Sequence, residues 1–224
     1  MMMPIVRPLL GMSLCAAGVV LAGPRVGVAQ VAPYAKEGFY VGVSAPYVSM
    51  GLDFDGQTVF VGPSDVVLVP EVDSAFGLGV SLGMRSAAVA FDLNYLKSDH
   101  KATFAGATGD VEYQQFGFDV RLLHTGQQAE PYFLFGFFFP QLVLKDGSAT
   151  AGGSIGDASY RGIGGDLGVG LLYHLHPRFA VDVGVLYRLA LFGSVKGAAG
   201  SREELDEGLF SGGPGITIGG TFTF

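Results

Sequence analysis

The stretch Arg178-Phe179-Ala180-Val181-Asp182-Val183-Gly184-Val185-Leu186-Tyr187-Arg188-Leu189-Ala190-Leu191 repeats with a period of two. Phe179, Val181, Val183, Val185, Tyr187, Leu189 and Leu191 fall on one face, and Arg178, Ala180, Asp182, Gly184 and Arg188 fall on the other. The first face is continuous apolar surface of the kind that meets lipid. The second mixes small residues with charges and suits a polar interior.

The same alternation recurs along the chain. Phe116, Phe118, Val120 and Leu122 point away from Gly117, Asp119 and Arg121; Leu167, Val169, Leu171, Tyr173 and Leu175 point away from Asp166, Gly168, Gly170, Leu172 and His174. Phe76, Leu78, Val80, Leu82 and Met84 alternate with Gly77, Gly79, Ser81, Gly83 and Arg85. Eight strands result, at about 38–50, 74–84, 88–98, 110–123, 130–144, 161–175, 178–192 and 214–224, each near or above the ~9–11 residues that a tilted strand needs to cross a bilayer. No segment after the N-terminal one suits a transmembrane helix: the most apolar run, Tyr132 to Leu144, has 13 residues and contains Pro140. Hydrocarbon admits only helices or closed barrels, because an unpaired backbone group costs several kcal/mol there. The expected fold is therefore an all-β, eight-stranded antiparallel up-and-down transmembrane β-barrel. A soluble lipocalin-like barrel conflicts with the unbroken apolar faces.

Composition agrees. With 36 Gly, 18 Phe, 9 Tyr and 15% charged residues in 224, the chain is too apolar and glycine-rich for an ordinary soluble domain and too hydrophobic for a disordered one. Arg7 followed by the 14-residue apolar run Leu9 to Ala22 reads as a secretory signal peptide. The small residues of Gly27-Val28-Ala29 favour cleavage after Ala29, with Val20-Leu21-Ala22 as the alternative, giving a leader at 1–29, a periplasmic lead-in at 30–37 and a barrel at 38–224. The single cysteine, Cys15, lies in the leader, so the mature chain has no thiol chemistry. Loss of Arg7 and Arg25 takes the net charge from -7 to -9, which argues against nucleic acid.

The connections alternate in length. Short ones at 85–87, 124–129 and 176–177 are read as periplasmic turns, and long ones at 51–73, 99–109, 145–160 and 193–213 as extracellular loops. Both termini then face the periplasm. The cluster Arg202-Glu203-Glu204-Leu205-Asp206-Glu207 is expected to be solvated loop. In the first loop, Val59-Phe60-Val61 and Val66-Val67-Leu68-Val69 flank Gly62-Pro63-Ser64-Asp65, which favours a hairpin above the membrane over two further strands. Ten strands is the alternative.

At the C-terminus, Thr217, Gly219, Phe222 and the final Phe224 meet the pattern polar, any, Gly, any, any, aromatic, any, aromatic. This resembles the signal by which Gram-negative outer-membrane proteins are recognised during assembly. With the leader and the strand pattern, it makes the chain similar to the small porin-family barrels of the OmpA and OmpX type, barrel domain only. The resemblance implies the outer membrane as location, with outer-membrane lipids, lipopolysaccharide and the barrel-assembly machinery as partners. It also implies loops presented to an extracellular partner.

An eight-stranded barrel is narrow enough for side chains to fill it. Arg85, Asp92, Asp119, Arg121, Asp166, Asp182 and Arg188 are expected to form a paired charge network inside, since buried charges need partners. The inward glycines are expected to leave room for the long arginines. Catalysis is not expected: Ser98-Asp99-His100 is the one cluster of the right residue types, and neighbours on a strand point in opposite directions. His174 and His176 lack a third metal ligand and read as solvated turn residues, and Gly162 to Gly168 misses the spacing of a dinucleotide loop, so neither a metal nor a cofactor is expected. On strand five the cluster Phe133, Phe135, Phe137, Phe138 and Phe139 is expected to touch lipid with one row turned inward. The expected role is structural or surface-interacting. A passive channel for small or hydrophobic solutes is the alternative, and a lipid-modifying enzyme comes third. Deleting Phe224 should reduce outer-membrane insertion more than export, as read by fractionation; normal insertion would contradict the assembly-signal reading.

Overall fold

Each long strand is built on the period of two, and closure of the strands into a ring satisfies the backbone donors and acceptors that hydrocarbon cannot. The computed structural model of the protein describes residues 35–54, 58–61, 65–104, 107–124, 127–145, 159–196 and 202–224. The expected leader, its cleavage point and most of the lead-in lie outside the described residues.

The first strand, β1 (Gly38–Val48), is followed by four short pieces, β2 (Gly51–Leu52), β3 (Thr58–Val61), β4 (Asp65–Leu68) and β5 (Glu71–Val72). Seven long strands complete the chain: β6 (Ala75–Arg85), β7 (Val89–Phe104), β8 (Ala107–Leu123), β9 (Ala129–Lys145), β10 (Ser159–His176), β11 (Phe179–Lys196) and β12 (Arg202–Thr223). The order is β1-β6-β7-β8-β9-β10-β11-β12, every neighbour antiparallel, and β12 returns to β1 with pairs from Tyr40↔Thr223 to Tyr47↔Ile216. The barrel is therefore closed by eight strands. The ten-strand alternative is set aside, because β3 and β4 pair with each other as a separate hairpin while β2 and β5 add short rungs to β12 and β7.

The first described residues and the C-terminal residues lie at the short-turn rim: the Lys36 amide donates to the Pro177 carbonyl, Thr223 to Arg178 and Phe224 to Phe39. At the opposite rim the strands run longer than the alternation of apolar residues indicated. The expected loop at 99–109 is largely the upper part of β7 and β8, paired as far as Phe104↔Ala107. The expected loop at 193–213 is mostly β12, so Arg202 to Glu207 is strand, paired through Glu204↔Ser194 and Arg202↔Lys196. The reason is physical: above the hydrocarbon the outward face meets water, so the lipid pattern ends while the backbone pairing continues.

The boundary is visible on the wall. The outward residues Lys97, Gln114, Gln141 and Arg161 lie in one row across β7 to β10, joined by the pairs Lys97↔Gln114, Gln114↔Gln141 and Gln141↔Arg161. Below it the outward side chains are exposed and apolar, among them Leu93, Phe116, Phe137, Leu167 and Val185. Phe133, Phe135, Phe137 and Phe139 face outward and Phe138 inward, as the parity requires. Above the row the interior is an apolar plug of Val48, Met50, Val69, Val72, Leu142, Tyr160, Phe192 and Leu209. The first loop supplies its centre. Leu52, at φ 69°, turns the chain so that Asp53 bonds to Phe210 and the Phe54 ring drops between Tyr160 and Phe192, 6.0 and 5.4 Å away.

The inward glycines do not make room for arginines. A Cβ on Gly83 would lie 2.3 Å from Cζ of Tyr40, one on Gly170 2.3 Å from Cζ of Tyr132, and one on Gly164 2.4 Å from the Phe138 ring. Bulky rings lie flat across the narrow lumen, and the wall beside each must lack a side chain. Gly170→Ala should therefore destabilise the barrel by about 1–3 kcal/mol in urea unfolding from bilayers, the usual cost of overpacking. Gly220→Ala, whose nearest contact would be the Phe179 ring at 3.6 Å, should be close to neutral. Equal stabilities would contradict this account of the lumen.

Candidate functional site

The inward polar residues form three layers below the apolar plug. At the periplasmic rim Arg85 donates from Nη2 to Glu130 Oε2 at 2.6 Å, and His174 Nε2 lies 2.8 Å from the same oxygen and 3.4 Å from Arg85 Nη1. These residues come from β6, β9 and β10, so one cluster ties three strands across the opening.

In the middle layer Arg121 of β8 donates from Nη1 to Asp182 Oδ2 of β11 at 2.6 Å, and its Nε approaches Asp92 Oδ2 of β7 at 3.0 Å. The second contact is an ion pair without hydrogen-bond alignment, since Nε and Oδ2 have no aligned partner. Two tyrosines complete the layer: Tyr40 donates to Asp92, and Tyr132 donates to Asp182 Oδ1 at 2.7 Å with its ring under the Arg121 guanidinium, 5.2 Å away. Every charged member is more than nine-tenths buried, and each charge faces an opposite one, as burial in low dielectric demands.

In the third layer Arg188 lies 3.5 Å from Asp166 Oδ2 and 5.4 Å above the Phe138 ring. Asp119 projects beside Asp166, and both carboxylates converge on Gly136, where an added Cβ would overlap Asp166 Oδ1 at 1.8 Å and meet Asp119 Oδ1 at 2.5 Å. A cavity of about 90 Å3, bounded by Ser44, Ser81, Asn94, Asp119, Asp166 and Thr217, opens against this layer. It has space for a few waters to solvate them.

All seven residues expected in the network point inward, but the pairing differs from expectation. Arg121 takes both Asp92 and Asp182, Arg188 takes Asp166, and Asp119 makes no ion pair among the described residues. Arg85 pairs with Glu130 and His174, neither of which was expected in the network. His174 is a correction: it is 5% exposed inside the rim cluster, not solvated. A register shift between His174 and His176 puts the second histidine outside. Parity is the signal: Glu130 and Tyr132 stand two apart on the inward side of β9, and the inward parity that His174 shares with Asp166 and Gly170 outweighs its nearness to the turn. Of the terminal signal residues, Phe222 and Phe224 face outward with rings 5.5 Å apart, and Thr217 and Gly219 face inward.

Above the boundary row, Ser98 and His100 are two apart and so share the inward face, while Asp99 faces out. The His100 ring donates from Nδ1 to the Asp73 carbonyl at 2.7 Å, which leaves Nε2 to accept from Ser98 Oγ at 2.7 Å. Both side chains are 2% exposed. The pair clasps the end of the first loop to β7, where β5 adds its rung.

These features define a class, a closed eight-stranded transmembrane barrel whose lumen is crossed by ion pairs and plugged with apolar side chains. The chain belongs to the outer membrane protein beta-barrel domain family, which it matches over residues 17–213. Its location is thus the bacterial outer membrane. Among solved structures, Neisserial surface protein A is similar at 18% identity and TM-score 0.53, covering 84% of this chain and 98% of that one. OprG from Pseudomonas aeruginosa is similar at 14% identity and TM-score 0.52, covering 86% and 99%. AlkL, solved in lipid bilayers, gives 16%, 0.52, 88% and 94%. These likenesses concern the fold. No curated protein sequence matches the chain.

Burial holds the His100 imidazole below its ordinary value, with Asp99 and Asp73 only partly opposing the shift. Neutral His100 is the form that fits the clasp, so the clasp is at full strength above about pH 6.5, the ordinary histidine value. It weakens as the pH falls and the opened state takes up the proton. The protection factor of the Asp73 amide, its exchange rate corrected for the pH-dependent intrinsic rate, should fall on acidification in the wild type and lose that dependence in His100→Leu. An unchanged pH dependence in the variant would contradict the assignment.

Proposed function

We propose that the protein is a non-conducting structural and surface-interaction barrel, anchored by outer-membrane lipids and presenting its extended upper strands to the outside. The observation that carries this reading is the middle layer. Arg121 reaches from β8 to β7 and β11, and Tyr40 and Tyr132 enter from β1 and β9, so side chains from five strands meet across the lumen. Opening such a layer would leave buried charges unpaired, at a cost of about 3–5 kcal/mol. The apolar plug supports the same reading from above, since it fills the space that a solute would need. Selection would then act on the upper rim, and an extracellular partner would be met by the alternating charges of β7 and β8, where Lys97 pairs with Glu112 and Lys101 with Asp110.

Assembly machinery is engaged, in this reading, through Thr217, Gly219, Phe222 and Phe224, after a cleaved signal peptide has directed export. Catalysis is not part of it. Ser98 and His100 are buried against the Asp73 carbonyl at the end of the first loop, and their geometry serves as a clasp. Passive transport of a small solute is the competing reading, and the 90 Å3 cavity beside Asp119 and Asp166 favours it as a waypoint.

Proteoliposomes made with the purified barrel separate the two. The proposal expects no swelling in isosmotic small sugars and no discrete conductance steps across a planar bilayer at neutral pH. Reproducible steps or sugar-dependent swelling would overturn it in favour of a channel.

A further inference from the structure

We infer that a hollow in the outward wall of β9, β10 and β11 is a binding site for a phosphate-bearing glycolipid of the outer leaflet, with Arg161 taking the phosphate and an acyl chain lying along Phe139, Ile163 and Leu191. The inference rests on the outer-membrane location and adds a ligand site to it.

Three irregularities of the wall converge at this place. Pairing between β9 and β10 passes through Arg161↔Gln141 and resumes only at Gly164↔Phe138; Pro140, in the gap, has no amide proton to give. Pairing between β10 and β11 steps from Arg161↔Ser194 to Gly162↔Phe192, so Gly193 is an extra residue in β11. The β11–β12 ladder shifts at the same glycine. A Cβ on Gly193 would meet nothing within 4 Å, so the wall is open outward there. Bulges of this kind re-aim side chains and gather at barrel rims beside sites.

The result is a hollow of about 680 Å3, within the range of small-molecule sites. Its lining changes character along the barrel axis. Phe139, Ile163 and Leu191 belong to the last apolar outward row, and Gln141 and Arg161 to the first polar one. The hollow therefore straddles the edge of the hydrocarbon, and its occupant has an apolar part below and a polar part above. Charge selects the sign of the polar part. Of the cations near this row, Lys97 is occupied by Glu112 and Lys101 by Asp110, and Lys196, opposite Ser159, stands above the hollow and outside its lining. Arg161 is exposed and makes no ion pair among the described residues. A guanidinium is the planar, weakly hydrated donor that matches phosphate oxygens in pairs. Glu204, which also lines the hollow, confines an anion to the Arg161 side.

The experiment uses the purified full-length barrel in detergent, with native mass spectrometry reading retained lipid. The probes are bisphosphorylated lipid A and the same lipid A with its phosphates removed. The wild type should retain one phosphorylated molecule and little of the dephosphorylated one. Arg161→Gln should lower retention of the phosphorylated probe by at least about tenfold, as expected for loss of a charge-assisted contact, while Arg178→Gln, an exposed cation at the periplasmic rim, should not. Leu191→Trp, which fills the hollow and leaves Arg161 in place, should lower retention as well and serves if Arg161→Gln fails to fold. Equal retention by the wild type and both hollow variants, or equal retention of the two probes, overturns the inference. A folded, membrane-inserted barrel that retains no lipid overturns it while leaving the outer-membrane location intact; a barrel that never inserts into bilayers overturns both.

Discussion

A guanidinium placed at the centre of a membrane protein must find carboxylates or be expelled, and Arg121 finds two. That requirement organises the molecule around it. Asp92 and Asp182 come from opposite sides of the ring, so the pairs act as spokes that fix how β7, β8 and β11 stand to one another. Their remaining oxygens are taken by the hydroxyls of Tyr40 and Tyr132, which brings β1 and β9 into the same layer. The glycines follow from the tyrosines: a ring lying across so narrow a lumen leaves no space for a side chain at Gly83 or Gly170. What reads in the sequence as flexible, glycine-rich composition is, in the barrel, the negative of a packed polar core.

The outward face obeys a different solvent. Below the row of Lys97, Gln114, Gln141 and Arg161 the wall is apolar and regular, because every backbone group must be paired within the sheet. At the level of the row and above it water can reach the backbone, and there the sheet tolerates Pro140, just below Gln141, together with the bulge and the register shifts around Gly193. The interior reverses the arrangement, with charges at the level of the hydrocarbon and apolar side chains at the level of the outer water. Phe54, brought in by the turn at Leu52, belongs to the second part, so the first loop acts as a stopper held at its base by the bond of Asp53 to Phe210 of β12 and by the bond of the Asp73 carbonyl to His100 of β7.

How much of this was legible follows from where the period of two is strong. In β11 the alternation from Phe179 to Leu191 gave face, inward charges and membrane span directly. It failed in the upper strands: Lys97, Asp99 and Lys101 point outward and Ser98, His100 and Ala102 inward, a polar-rich pattern that composition assigns to a loop although it is paired strand. The same effect hid Arg202 to Glu207 inside β12. Glu130 escaped because it precedes Pro131 at a strand end, where the phenylalanines further along dominate the pattern, and His174 because its nearness to a turn outweighed its parity. Partner choice in the network was not readable. Alternation fixes which side chains point inward, whereas the shear of the closed ring decides that Arg85 reaches Glu130 while Asp119 lies beside Asp166.

The central claim is that the Arg121 spokes bind the barrel together across its lumen. A double-mutant cycle with Arg121→Met and Asp182→Asn, measured by urea unfolding from lipid bilayers, tests it most directly. The account predicts a coupling of about 1–3 kcal/mol, the range for residues sharing one buried network. Simple additivity of the two substitutions would contradict it.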